Sequence, residues 1–414
     1  MMQLRKRNTW ILATLAALAW VSGCGQPLAE FRTNLVYIEK FSTDEEPGLT
    51  AAQKQDLANV LAAAFGTPDD PVVVNVAGAS VSDVLDIDRL QMAAGAVHMD
   101  AEGRPQGLSR EHCVHCHGIT GDGAGPTAAF LNPYPRDFRK GVFKFKSTPG
   151  VSKPTDADLM RTLMEGIPGT AMPSFRLLPG DELDAVLEYV KYLSIRGEVE
   201  RRLIQTGTLE GPDFLFSENL LAVADEIALV VGDAELVESG EALGTWVAAA
   251  SEATPIPQKP DDWDLAASVK HGRELFLGKA GCVKCHGETA IGDGELGNFD
   301  DWTDELEPKK PERVAAYVER GALEPRNLVP RNLRMGVYRG GRRPIDIYRR
   351  IYNGIGGAKM PAQSNNVMKE GDPHDPKKMT QDEIWNLVDY VRSLPYESIS
   401  RPREHQPQNQ RERS

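Results

Sequence analysis

The sequence predicts a mainly α-helical chain built from two tandem copies of one small domain, with further helical and irregular segments around them. Three observations carry this. A Cys-x-x-Cys-His frame occurs twice, at Cys113–His117 and Cys282–His286. The same landmarks follow each frame in the same order, which is the mark of an internal repeat. Apolar residues recur at helical spacing, and a strand-rich α/β pattern is lacking. At 414 residues the chain has room for two or three domains. Its 41 % hydrophobic and 26 % charged content is that of a soluble globular protein.

The N-terminus opens with Arg5-Lys6-Arg7, continues with apolar residues from Thr9 to Val21, and reaches Val21-Ser22-Gly23-Cys24. This reads as a secretory signal over residues 1–23. The apolar run is shorter than the ~20 residues of a spanning helix. Val-Ser-Gly-Cys also resembles a bacterial lipobox, which predicts lipidation of Cys24 and a soluble body tethered to a membrane. The expected location is the periplasm or another extracytoplasmic membrane face. Cleavage would remove three basic and no acidic residues, taking the net charge from −13 to −16. Such a surface makes nucleic acid a poor partner.

Residues 24–90 read as an extension with one amphipathic helix, on which Leu57, Val60, Leu61 and Ala64 share a face before Thr-Pro-Asp-Asp-Pro stops it. The first copy is expected over residues 91–200. It runs from CVHCHGITGDG through PRDFRKGVF (135–143) and a helical segment at 155–167 to Gly-Thr-Ala-Met172-Pro. A closing helix with Leu183, Val186, Leu187 and Val190 at i, i+3, i+4, i+7 completes it. Residues 201–262 carry an apolar helix near 217–231 and a Pro-rich connector, TPIPQKP. Packing and spacing account for both flanking segments.

The second copy, residues 263–397, repeats the series: CVKCHGETAIGDG, PRNLRMGVY (330–338), a short helix at 346–352, Gly-Ala-Lys-Met360-Pro, and a closing helix through Ile384, Leu387, Val388 and Val391. Thr380-Gln-Asp-Glu383 is a capping box that starts that helix. Methionine follows histidine by 55 residues in the first copy and by 74 in the second, where an acidic insertion, DDWTDELEPKKPE, is expected on the surface. Residues 398–414 form a polar tail.

The five cysteines comprise the two repeated pairs and Cys24, which argues against a disulfide framework. Zinc needs four ligands, and the second copy supplies only Cys282, Cys285 and His286 locally. A thioredoxin-like thiol pair has no use for the following His. Covalent haem accounts for every element. Two thiols add to two vinyl groups, the adjoining imidazole meets the iron, and a later Met is a soft donor from the other side.

Each copy resembles a class I c-type cytochrome domain. The resemblance implies two covalently bound haem c groups with iron, Cys113, Cys116, Cys282 and Cys285 as thioether anchors, His117 and His286 as proximal ligands, and Met172 and Met360 as distal ones. It further implies that Arg136 and Arg331, in the repeated Pro-Arg pairs, lie by haem propionates. Met335, Met368 and Met379 compete with Met360 by position. His112 and His115 have no counterpart in the second copy and are expected to be solvated bystanders, and His98, His271 and His374 to be ordinary residues. The expected function is electron transfer between respiratory partners (a dehydrogenase, an oxidase or a soluble carrier) without catalysis. The alternatives are a dihaem peroxidase and an integral cytochrome subunit of a larger complex. The acidic insertion and the extra helical segments are candidate docking surfaces.

Overall fold

In the computed structural model, residues 28–43, 45–232, 244–368 and 375–396 are described. Cys24, the export segment, His374 and the polar tail lie outside the described residues. The described chain is mostly helical, as expected, with one two-stranded antiparallel sheet, His98–Met99 against Pro105–Gln106. Among the described residues no helix is long and apolar enough to cross a membrane.

The first copy is organised by its closing helix, Gly180–Glu210, which runs past residue 200 to a length of 31 residues. Its extra turns continue the apolar face through the buried Val199, Leu203 and Ile204. That face is covered by the N-terminal helix Ala51–Phe65 and by Leu220–Val231, so both flanking segments share one core with the first copy. Gln53 ties the N-terminal helix down, since its side-chain amide donates to the Gly211 carbonyl at 2.9 Å. Before the methionine loop comes Asp156–Glu165, started by a Thr155/Asp158 capping box and burying Leu159 and Leu163.

In the second copy Leu265–Leu277 crosses the closing helix Gln381–Ser393. Gly272 permits the crossing: a Cβ there would collide with the Asn386 carbonyl, so only glycine lets the backbones approach this closely. Phe276 meets Tyr390 edge to face at 5.3 Å between ring centroids. The Thr380/Glu383 capping box forms as the sequence predicts. The Pro-rich connector is pinned at its end, because Lys259 Nζ donates to both oxygens of the buried Asp389, which also accepts from Trp263 and Ser268.

The acidic insertion is at the surface, as expected, with Asp301 and Asp304 about half exposed. It does not stand free but lies along the first copy. Glu305 accepts from Lys140 at 2.9 Å and pairs with Arg201 at 3.1 Å, and Trp302 meets Tyr134 edge to face. Just beyond it Arg313 donates to the Glu39 carbonyl, and Arg326 donates to the carbonyls of Ala129 and Leu131. A strongly acidic loop in water finds its lowest energy where cations are already fixed, and this one finds Lys140 and Arg201. It is a strap between the copies that keeps part of its acidic face in solvent.

Candidate functional site

Each Cys-x-x-Cys-His frame ends in a single helical turn, Val114–His117 in the first copy and Val283–His286 in the second. The turn places two thiols and an imidazole on the wall of one cavity. The first cavity is lined by Cys113, Cys116 and His117, and by Arg136 and Met172. The second is lined by Cys282, Cys285 and His286, and by Arg331 and Met360. None of these four cysteines is in a disulfide. Burial pushes the Cys113 and Cys282 thiols up to about 12, so neither is a thiolate poised for redox exchange.

The histidines are oriented identically. His117 Nδ1 lies 3.0 Å from the Arg136 carbonyl, and His286 Nδ1 lies 3.2 Å from the Arg331 carbonyl. A ring nitrogen facing a carbonyl carries the proton and donates it, which leaves Nε2 with its lone pair. Burial lowers both imidazoles below their ordinary value and holds them neutral, although the carbonyl works against this. Phe138 stacks on His117 with 4.5 Å between centroids. The repeated Pro-Arg pairs therefore act first through their backbone.

Among the described residues no three His, Cys, Asp or Glu side chains gather into a metal-ion cluster. The model of the cytochrome c family matches residues 103–194 and 269–395, together more than half of the chain. The chain belongs to the cytochrome c family. No curated protein matches it. A chain of the Kuenenia stuttgartiensis reducing HAO-like protein complex is similar at 23 % identity and a TM-score of 0.44, over 72 % of this chain and 99 % of that one.

The family carries covalent haem c, and its chemistry is haem-based electron transfer. The cytochrome's residues fit such a group. Each cavity offers two thiols on one turn, a neutral imidazole with a free Nε2, a thioether and apolar walls such as Leu163 and Val190 or Ile347 and Leu387. Of the competing methionines in the second copy, none lines the cavity: Met335 is 63 % exposed, Met379 is buried in the core, and Met368 accepts through sulfur from the Asp375 amide.

Several sequence expectations change. His115 is exposed, but His112 is half-buried, lines the first cavity and lies 5.9 Å from the Phe175 ring, so it is no bystander in solvent. His98 is exposed and held by its own Ala96 carbonyl, and His271 sits beside Glu274 and Glu383. The Gly-Asp-Gly strings also mislead. Gly123 donates to the His117 carbonyl as Gly292 does to that of His286, so the copies align here without a gap and the matching strings are offset by two residues.

The cytochrome's two cavities adjoin, which sequence comparison missed. Lys144, Phe145 and Arg339 line both. Lys144 and Arg339 directly follow Gly-Val-Phe143 and Gly-Val-Tyr338, so the repeat itself held the signal. Burial pushes the Lys144 ammonium down to about 8, helped by Arg136, while Asp300 at 3.8 Å opposes it.

Proposed function

We propose that this cytochrome is a dihaem electron carrier, tethered outside the cytoplasm through a lipidated Cys24 and passing electrons between redox proteins of a respiratory chain. The observation that carries the reading is the pairing of an oriented His with a Met in both cavities. Cys113, Cys116, Cys282 and Cys285 would anchor the two groups, and His117 with Met172 and His286 with Met360 would hold the irons. Haem supplies a one-electron ferric/ferrous couple when bound. The protein binds it, keeps water from its faces, and raises the reduction potential through the thioether. The haem-binding units are placed at residues 91–200 and 263–397, which enclose the two matched regions.

A dihaem peroxidase needs one iron with an open position and acid or base groups beside it. The equivalent methionine loops speak for a carrier in both copies. An obligate subunit of a larger complex shares this chemistry and differs only in its partner. The deciding measurement is a spectroscopic redox titration of the membrane-extracted protein with and without peroxide. Two low-spin haems of fairly high potential, neither perturbed by peroxide, are expected. One high-spin haem that consumes peroxide at enzymatic rates would overturn the carrier reading. Isolation alone or in a stable complex after gentle solubilisation separates the carrier from the subunit.

A further inference from the structure

Lys144 and Arg339 occupy the same position of the repeat, one in each copy, and they meet where the two cavities adjoin. The contacts around them are reciprocal. The Arg136 guanidinium of the first copy approaches Gly357, in the loop that carries Met360, at 3.5 Å from where a Cβ would stand. Arg331 of the second copy presses on Gly169, in the loop that carries Met172, and leaves no room for a Cβ there. Phe145 lies over Gly340, its own repeat counterpart, with Cγ 2.5 Å from where a Cβ would be. Arg161 and Asp346 close the seam with an ion pair of 2.7 Å. The copies are thus joined about an approximate two-fold, with positions 144 and 339 close to the axis.

At the seam Arg136, Lys144, Arg331 and Arg339 gather, with the carboxylates of Asp300 and Asp301 nearby. The Arg136 guanidinium feels the carboxylates of Asp300, Asp137 and Asp301 through space, and Arg339 Nε is buried without a hydrogen bond. The Lys144 ammonium has Asp300 at 3.8 Å and also feels Asp301. Arg331 Nε donates to the Val337 carbonyl, a neutral acceptor. Half-buried guanidinium and ammonium groups gain from a close counter-charge, and the open space they face is that of the two cavities.

We propose that Lys144 and Arg339 form one cationic wall common to both haem sites, taking carboxylate groups from either side, so that the charge state of one site is felt at the other. The inference rests on the dihaem reading. Each wall residue belongs to one copy but serves two cavities, so neither site is electrostatically complete without the other copy. A cation favours the less positive, reduced form of a nearby centre, and a half-buried wall is screened by salt less than an exposed one.

The test is potentiometry of the full-length haem-loaded protein, with the two haems resolved by their NMR-shifted methyl signals, for the parent, Lys144→Gln and Arg339→Gln. Each variant is expected to shift both midpoints toward oxidation, raising the ferric/ferrous ratio of each haem at fixed potential roughly three- to tenfold. The charge-retaining Lys144→Arg and Arg339→Lys should keep both midpoints near those of the parent. A variant that moves only the haem of its own copy, or neither, overturns the shared wall. If a Gln variant does not accumulate, the parent alone decides: reduction of one haem must displace the midpoint of the other, and two independent Nernst curves overturn the proposal. Haem content is read separately, since a parent with one haem per chain refutes the dihaem reading, whereas two haems that titrate independently refute only the wall.

Discussion

Glu305→Gln tests the strap between the copies. The Glu305 side chain is about one-third exposed (32 %) and bridges Lys140, whose side chain is 8 % exposed, and Arg201. An exposed ion pair is worth at most ~1 kcal/mol, whereas stripping a buried charge of its partner costs ~3–5 kcal/mol. Glu305 lies between these limits with a nearly buried cation to strand, so the loss should be about 2 kcal/mol at pH 7. Burial alone would raise the Glu305 carboxyl, but Arg201 and Lys140 outweigh it and hold the group below its ordinary 4.5. A depressed carboxylate contributes stability that is complete above the unfolded value and is lost as pH falls through the folded one. The parent–variant difference should therefore be constant from about pH 6 to 8, shrink below 4.5 and vanish in stronger acid. Urea denaturation of the haem-loaded protein, followed by far-UV circular dichroism, measures it at each pH. A variant as stable as the parent at pH 7, or a difference that persists in strong acid, would refute the strap.

Three further outcomes are expected. Met360→Ala should lower the potential of one haem by on the order of 0.1 V, a fraction of the range that axial ligands set, and abolish its Met-ligation spectrum, while Met335→Ala should change neither; redox titration distinguishes them. Gly272→Ala forces a Cβ onto the Asn386 carbonyl and should cost about 1–3 kcal/mol in thermal or urea denaturation of the second domain. Asp389→Leu removes the acceptor shared by Lys259, Trp263 and Ser268 and should cost about 3 kcal/mol, read as an earlier urea midpoint and faster proteolysis at the Pro-rich connector.

Local chemistry was legible in the sequence where it is carried by neighbours along the chain. The Cys-x-x-Cys-His turns, the methionine loops, the capping box at Thr380 and the helical phase at Leu183–Val190 all depend on spacings of a few residues, and the repeat doubled each signal. Less legible was anything that depends on which surfaces meet. The helix to Glu210 and the core it shares with Ala51–Phe65 require apolar faces that only the packed chain brings together. His112 lines a cavity that only the packed chain forms, a placement that residue spacing does not encode. The Gly-Asp-Gly match slipped by two because a three-residue string recurs easily, whereas the backbone hydrogen bonds that fix the true alignment are seen only in space.

By itself the sequence determined the class of this protein: a mainly helical chain in the cytochrome c family, with two sets of thiol, imidazole and thioether donors in a fixed order. Covalent attachment demands that order, and a turn of helix enforces it locally. Tertiary structure decided how the two copies face each other. It drew the acidic insertion onto Lys140 and Arg201, set each Arg of the Pro-Arg pairs against the other copy's methionine loop, and brought Lys144 and Arg339 to one wall from positions 195 residues apart. Charges so distant along the chain interact only when folding removes the water between them, and no local pattern records that.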